Sequence, residues 1–291
     1  MSILEGKAIV ITGSGSGIGA SYARHCAQLG ARVVVNDIDE DAAEGVVSEI
    51  LAAGGEAISC AGDISDWKFG GVLVATCVKS FGRIDGLVNN AAVLRHGTIA
   101  DITEQDLRAM LDVNTVGTVS CAFHAVRAML DAGRAGSIVN VSSGSQAGEI
   151  ALGGYGASKA AVASLTFSWA MELKDTNVRV NAVSPLAETA MSASNKGFME
   201  RQSASREVVY TTLPAPQTNA PVVAFLLSDA AKDINGQVVR IAGEELSFVT
   251  HPAIADPVLH GEWTDTAVAN AFRDKLAAAQ QKLGLTYARR E

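Results

Sequence analysis

Tyr155 and Lys159 stand four residues apart in the stretch Tyr155-Gly156-Ala157-Ser158-Lys159. On a helix that spacing puts both side chains on one face, with about 5 to 6 Å between their Cβ atoms. The chemistry open to such a pair is proton exchange. A free phenol titrates near ~10, too weak an acid to trade a proton with an alcohol or a carbonyl at neutral pH, but an adjacent fixed cation favours the phenolate. Lowering the phenol by about 3 units takes roughly 4 kcal/mol, which a desolvated Lys159 and a charged ring bound beside it would supply. In 291 residues with four tyrosines such a pair also arises by chance about one time in eight, so its meaning depends on the elements around it.

Residues 7–12 (KAIVIT) are apolar and largely β-branched and stop at a glycine, the composition of a strand buried on both faces of a parallel sheet. Gly13-Ser14-Gly15-Ser16-Gly17-Ile18-Gly19 follows at once. These glycines allow a tight turn and close approach to a phosphate, and a helix over 18–29 aims its free N–H groups and positive dipole end at that phosphate. Without strand and helix around it, the same loop reads as a flexible turn. A second strand over 32–36 closes on Asp37, about 20 residues past the glycines, where a carboxylate accepts from both adenosine ribose hydroxyls and repels a 2′-phosphate. Neither Ser14 nor Ile38 is basic, which agrees with NAD rather than NADP. The competing role for Asp37 is the N-cap of a helix starting near Asp39.

Further along, a helix over 39–53 and a third strand over 56–61 lead to Asp63-Ile64. Asp63 reads as an acceptor for the adenine amine or as an N-cap of the helix over 66–81. A fourth strand over 84–88 meets Asn89-Asn90-Ala91-Ala92, where amides satisfy the strand-end backbone and small residues leave room for a cofactor; a simple turn is the alternative. One long helix over 106–130 carries Asn114 between Val113 and Val116, and its amide needs a partner there, a water or a backbone carbonyl near Lys159. A fifth strand over 137–141 delivers Ser142 and Ser143 to the C-terminal sheet edge, where ligands collect and where either serine reaches the substrate oxygen that Tyr155 contacts. The sixth strand, 178–183, ends in Ser184-Pro185. Residues 192–217 lose periodicity and read as a substrate loop or lid, offering with Met191 the apolar Phe198, Met199 and Tyr210. A helix from 221 and a seventh strand over 237–241 complete the core. A tail from 244 to 291 includes an amphipathic pattern over 264–283 that packs on a partner subunit or covers the site.

The formal charge of −8 and the absence of a basic run exclude a nucleic-acid or anionic-membrane footprint. Four dispersed cysteines and no clustered histidines suggest neither disulfides nor a metal site and fit a reducing compartment. No secretory pattern opens the chain and no run of about 18 apolar residues occurs, so a soluble, cytoplasmic protein is expected.

Taken together, TGSGSGIG at 12–19, Asp37, Asp63-Ile64, NNAA at 89–92, Asn114, the serine pair, YGASK at 155–159 and VNAVSP at 180–185 resemble the short-chain dehydrogenase/reductase family, in its order, over residues 5–243. The resemblance implies an α/β fold: a single Rossmann-type doubly wound domain over 1–291, with a seven-stranded parallel sheet, a substrate loop at 192–217 and an extension at 244–291. It implies NAD(P)-dependent interconversion of a secondary alcohol and a ketone, in dimers or tetramers. By resemblance Tyr155 is the general acid/base, Lys159 lowers its pKa and holds the nicotinamide ribose, Asn114 sustains a relay water, and Thr189 meets the carboxamide. The cofactor set becomes Gly13, Ser16, Gly17, Ile18, Gly19, Asp37, Asp63, Ile64, Asn90, Ala91, Tyr155, Lys159, Pro185 and Thr189. The family's second serine is Ser143, whereas the usual spacing to tyrosine gives Ser142. Ser143 is preferred because a loop shortened by one residue is absorbed more easily than a register shift. The chain departs from the family at Ala92 and Leu186, where glycine is common, and in its long tail. An epimerase or dehydratase, or a silent NAD-binding regulator, are the rival functions.

Overall fold

Strand β1 (Ala8–Ile11) shows why the sheet is buried on both sides. Its four side chains are all fully buried, Ile9 and Ile11 joining one core and Ala8 and Val10 the other, as the two-residue alternation of a strand requires. The computed structural model describes residues 2–189, 191–193 and 213–286. Around β1 lie β2 (Arg32–Val35), β3 (Glu56–Ser59), β4 (Gly86–Asn89), β5 (Gly136–Val141), β6 (Val178–Leu186) and β7 (Val238–Ala242), all parallel, in the order β3-β2-β1-β4-β5-β6-β7.

Seven parallel strands are as expected, but the sheet has an eighth. The first residues of the extension form β8 (Glu245–Val249), antiparallel to β7, after a turn in which Gly243 sits at φ +64°. Such a hairpin turn needs positive φ, which glycine adopts without strain.

Helix α1 (Gly17–Gln28) packs on one face through Ala20, Ala23 and Cys26, with α2 (Glu40–Ala52) beside it. Small residues at these contacts let the helix lie close to the sheet. On the other face, α3 (Trp67–Phe81) contributes Leu73, Val74 and Cys77. Each large aliphatic side chain buried this way contributes roughly 1.5 to 3 kcal/mol.

The single helix expected over 106–130 is three segments: α4 (Glu104–Leu111), a π-helical turn at Asp112–Gly117, and α5 (Thr118–Asp131). Apolar spacing over six residues does not separate an i→i+5 turn from an α-helical one, so the spacing carries no sign of it. Helix α6 (Gly153–Glu172) carries Tyr155 and Lys159 in its first two turns, and α7 (Ala220–Leu227) closes the α1 face. In the tail, α8 (Asp265–Asp274) is shorter than the 264–283 pattern and contributes no buried residue. Among the described residues no helix is long and apolar enough to cross a membrane.

Candidate active site

Strands β1 and β4 are neighbours whose following connections go to opposite faces of the sheet, and at such a switch point a crevice opens beyond the strand ends. A cleft of about 1630 Å³ occupies that position. Every residue of the expected site lines it except Asn114.

At its dinucleotide end the loop after β1 is clamped from β4. Asn90 Nδ2 donates to the Thr12 and Gly13 carbonyls at 2.9 and 2.8 Å, and Thr12 Oγ1 accepts the Asn90 and Ala91 N–H groups at 3.0 and 3.1 Å. Gly13 lies at φ +60°, and a Cβ there would stand 2.6 Å from Ala91 Cα. At Gly19 a Cβ would collide with the Gly13 carbonyl oxygen. Ser16, the residue before α1, makes no side-chain cap bond, so the first N–H groups of α1 remain for an anion. Ser16, Gly17 and Ile18 line this wall. A cradle that excludes side chains and an uncapped helix end fit the pyrophosphate of a dinucleotide.

Asp37 is not the helix cap: Asp39 takes that place, accepting from Ala42 N at 3.1 Å. Instead Asp37 Oδ2 accepts the Gly15 N–H at 2.9 Å, fixing the carboxylate in the cleft. A carboxylate offers about four lone-pair sites, so capacity remains for ribose hydroxyls. Ser14 is the exception among the positions weighed for cofactor choice. It is fully buried and bonded to the Ile11 carbonyl at 2.7 Å, so its lack of charge carries no information about a phosphate. Asp63 is exposed and accepts from Ser65 N at 2.8 Å, while the cap of α3 is Asp66. Buried Ile64 closes this end. Asn36, not foreseen, also lines it and donates to the Cys60 carbonyl at 2.9 Å.

At the other end α6 presents Tyr155, which clusters with Met110 and Leu152, and Val93, Leu94 and Met191 pack against that cluster. Lys159 is 2% exposed; its Nζ donates to the Val141 carbonyl at 2.7 Å and lies 5.7 Å from the centre of the Tyr155 ring. Burial pulls the ammonium down to about 8. The phenol does not follow the expected direction. Burial pushes it up to about 12, the Ser143 hydroxyl pulls it down, and the Glu149 carboxylate pushes it further up. In the protein alone, desolvation is the largest influence on the phenol.

The two serines separate cleanly. Ser142 Oγ is buried, 2.7 Å from Gln146 Oε1 and 3.0 Å from the Lys159 carbonyl, so its one proton is committed to structure. Ser143 is half-buried, lines the cleft together with Tyr155, and its hydroxyl is the one that pulls the phenol down.

The amide of Asn114, in the π turn, is bonded to Val93 and Ser158 and not to Lys159. It accepts from Val93 N at 2.8 Å and donates to the Val93 carbonyl at 2.9 Å and Ser158 Oγ at 3.0 Å. It ties the β4 loop, the π turn and α6 together from outside the cleft.

Strand β6 runs through Leu186, whose carbonyl accepts from Asn219 at 3.2 Å, so the residue where glycine was expected simply continues the strand. Pro185 and Thr189 line the cleft beyond it, and Thr189 N–H donates to Ser192 Oγ at 2.7 Å. Phe198, Met199 and Tyr210 lie outside the described residues. Glu149, Ile150, Arg240 and Leu285 line the same end. None carries a motif; Leu285 reaches the site from the far end of the chain.

A switch-point cleft with a glycine cradle at one end and a buried tyrosine-lysine helix at the other defines a dinucleotide-binding α/β protein. A family profile described as short chain dehydrogenase matches residues 7–199. A 3-oxoacyl-[acyl-carrier-protein] reductase of Thermotoga maritima is 36% identical over 242 residues, 82% of this chain and 98% of its own. Among solved structures, a short chain dehydrogenase from Mycobacterium avium superposes with a TM-score of 0.84 at 33% identity, covering 96% of this chain and 97% of that one. An NAD⁺-bound xylitol dehydrogenase gives 0.77 at 27% identity, covering 82% and 99%. The chain belongs to the short-chain dehydrogenase family. It is thus an oxidoreductase acting on CH–OH groups, in a family that binds a nicotinamide cofactor.

Proposed function

We propose that this protein interconverts a secondary alcohol and a ketone and uses NAD(H) in preference to NADP(H). The observation that carries the reading is the meeting of Ser143, Tyr155 and Lys159 at the end of the cleft opposite Asp37. When bound, the nicotinamide gives or takes the hydride. In oxidation the Tyr155 oxygen takes the hydroxyl proton; in reduction it returns a proton to the carbonyl oxygen. Ser143 holds that oxygen, and Lys159 holds the ribose while its charge offsets the developing phenolate. Asn114 acts at one remove, by fixing Val93 and Ser158 around the tyrosine. Asp37, with lone pairs left for ribose hydroxyls and a charge that repels a 2′-phosphate, supports NAD.

Leu94, Ile150, Leu152, Met191 and Leu285 line the substrate end and favour a largely apolar substrate. Exposed Phe123 and Leu130 on α5 and Trp67 on α3 support a homo-oligomer. Four free cysteines fit a cytoplasmic setting.

NADH absorbance with a panel of secondary alcohols and ketones tests the activity, and repetition with NADP(H) tests the preference. Tyr155→Phe is expected to lower turnover by about 10²- to 10⁴-fold while NADH still binds, as followed by fluorescence. Near-normal turnover in that variant would remove the reading, and NADH binding without turnover of any panel member would point to a silent binding protein.

A further inference from the structure

Glu149 stands on the loop before α6, at the substrate end of the cleft, which Ser143, Ser145, Gly148 and Ile150 also line. The 3-10 turn Gly144–Ala147 folds the chain back, so that Ser143 Oγ accepts the Ser145 N–H at 3.2 Å and lies 3.3 Å from Ser145 Oγ. Buried Ser145 Oγ in turn lies 2.6 Å from Glu149 Oε2. An ionised carboxylate accepts and cannot donate, so Ser145 gives its one proton to Glu149. Laid end to end, the two contacts of this row set the carboxylate no more than about 6 Å from the Ser143 oxygen. Among the described residues Ser145 alone donates to Glu149, which leaves most of the carboxylate's about four lone-pair sites to whatever fills the cleft. There is room beside it, since a Cβ built on Gly148 would meet nothing within 4 Å.

The neighbouring Leu94, Ile150, Leu152, Met191 and Leu285 are apolar. Once the carbon frame of a substrate covers them and displaces water, a carboxylate with a single donor is short of hydrogen bonds, and a substrate with no second donor does not make up the loss. A hydroxyl on the carbon next to the reacting one does. Oxygens bonded to Ser143 and to Glu149 would each stand about 2.7 Å from their partners, so partners no more than about 6 Å apart suit oxygens on adjacent carbons. An ammonium in the same place would share this wall with the Arg240 guanidinium, a like charge that favours a neutral donor.

We propose that Glu149 is a specificity-determining residue that accepts the second hydroxyl of a vicinal diol, or of the matching α-hydroxyketone, whose other oxygen is held by Ser143 and Tyr155. The fate of that other oxygen rests on the oxidoreductase reading above; the contact at Glu149 does not. In oxidation the carbinol carbon passes a hydride to the oxidised nicotinamide and its hydroxyl proton goes to Tyr155, while the second hydroxyl stays bonded to Glu149 and unreacted.

The test compares matched alcohols with the full-length protein and NAD⁺: cyclohexane-1,2-diol against cyclohexanol and butane-2,3-diol against butan-2-ol, each diol as separate stereoisomers. For one diol isomer kcat/KM is expected to exceed that of its monoalcohol by about 10- to 100-fold, the worth of one hydrogen bond to a charged group. Glu149→Leu should bring that ratio close to one, whatever it does to both substrates through the Ser143 turn. Glu149→Gln, which keeps an acceptor without the charge, should lower the ratio about 3- to 10-fold, and it decides alone if Glu149→Leu does not fold. A ratio unchanged in the variants, a wild type without diol preference, or a preference for 2-aminocyclohexanol over the diol would overturn the proposal. Diol binding is also read without turnover, from the NADH fluorescence of the protein–NADH complex titrated with diol. Diol that binds to wild type and not to Glu149→Leu, in a protein turning over no alcohol, leaves the contact standing and removes the oxidoreductase reading. A monoalcohol oxidised as well as its diol does the reverse, and neither turnover nor diol binding removes both.

Discussion

Lys159 shows most directly what the candidate site costs the fold. An ammonium 2% exposed, bonded to one carbonyl and pulled down to about 8, has given up hydration that a single neutral acceptor does not replace. Below about pH 8 native and unfolded chains both hold the proton, and the full cost of burying it stands. Between about 8 and 10.5 the unfolded chain binds the proton more tightly, so this group makes stability rise with pH. Tyr155, pushed up to about 12, acts in the opposite sense, because from about 10 upward the unfolded chain loses its proton first. Lys159→Met is therefore expected to raise stability at pH 7 by roughly 1 to 3 kcal/mol, less what is lost with the Val141 bond. NADH-linked turnover should vanish in the same protein. Urea melts at pH 7 and 9.5 check both signs: the variant's advantage should shrink at the higher pH, and a variant less stable than wild type at pH 7 would contradict this account. The Tyr-Lys pair was legible because four-residue spacing fixes a shared helix face. The direction of the tyrosine's displacement was not, because it depends on how much water the fold removes from around it.

Among the elements, continuity decided what the sequence disclosed. Short β-branched runs ending at Gly13, Asp37 and Asn89 could be read as parallel strands, and the loops after them could be placed at one sheet edge. The π turn at Asp112–Gly117 could not be read, since its six residues fit an α-helical pattern equally well. Nor could the Ser143–Ser145–Glu149 row, which exists only because a 3-10 turn brings residues two and six positions apart into line. Asn114 is where the two kinds of information meet. Its need for a partner was evident from apolar neighbours, but the partners are Val93 and Ser158 rather than anything at Lys159. Asn114→Ala leaves the Val93 N–H and carbonyl without these bonds, and is expected to cost about 2 to 4 kcal/mol. Because the Asn114 link between the β4 loop and α6 is then lost, turnover should fall further than NADH affinity. Denaturant midpoints and NADH titration together check this; a stable variant of unchanged activity would remove Asn114 from the site's support.

For the whole molecule, the tail is where family likeness says least and the structure most. Its beginning extends the sheet as β8, leaving Leu246 and Phe248 exposed, and its far end returns to the opening of the cleft. There Leu285 lies so close to the Ser143 turn that a Cβ built on Gly144 would stand 3.2 Å from its Cδ2. The matching family profile ends at residue 199, so nothing inherited from it accounts for this contact. Leu285 is 43% exposed; it is therefore a wall of the substrate end rather than a part of the core, and changing it should spare stability. Leu285→Asp removes an apolar surface and adds a charge next to the region where an apolar substrate would sit. That is expected to raise KM for a panel alcohol about 5- to 20-fold, the equivalent of one to two kcal/mol of apolar contact, with kcat changed less than twofold and NADH affinity unaltered. Steady-state kinetics of the full-length variant separate these quantities. A fall in kcat with KM preserved would mean that the tail acts on the Ser143 turn and its proton chemistry instead of on substrate binding.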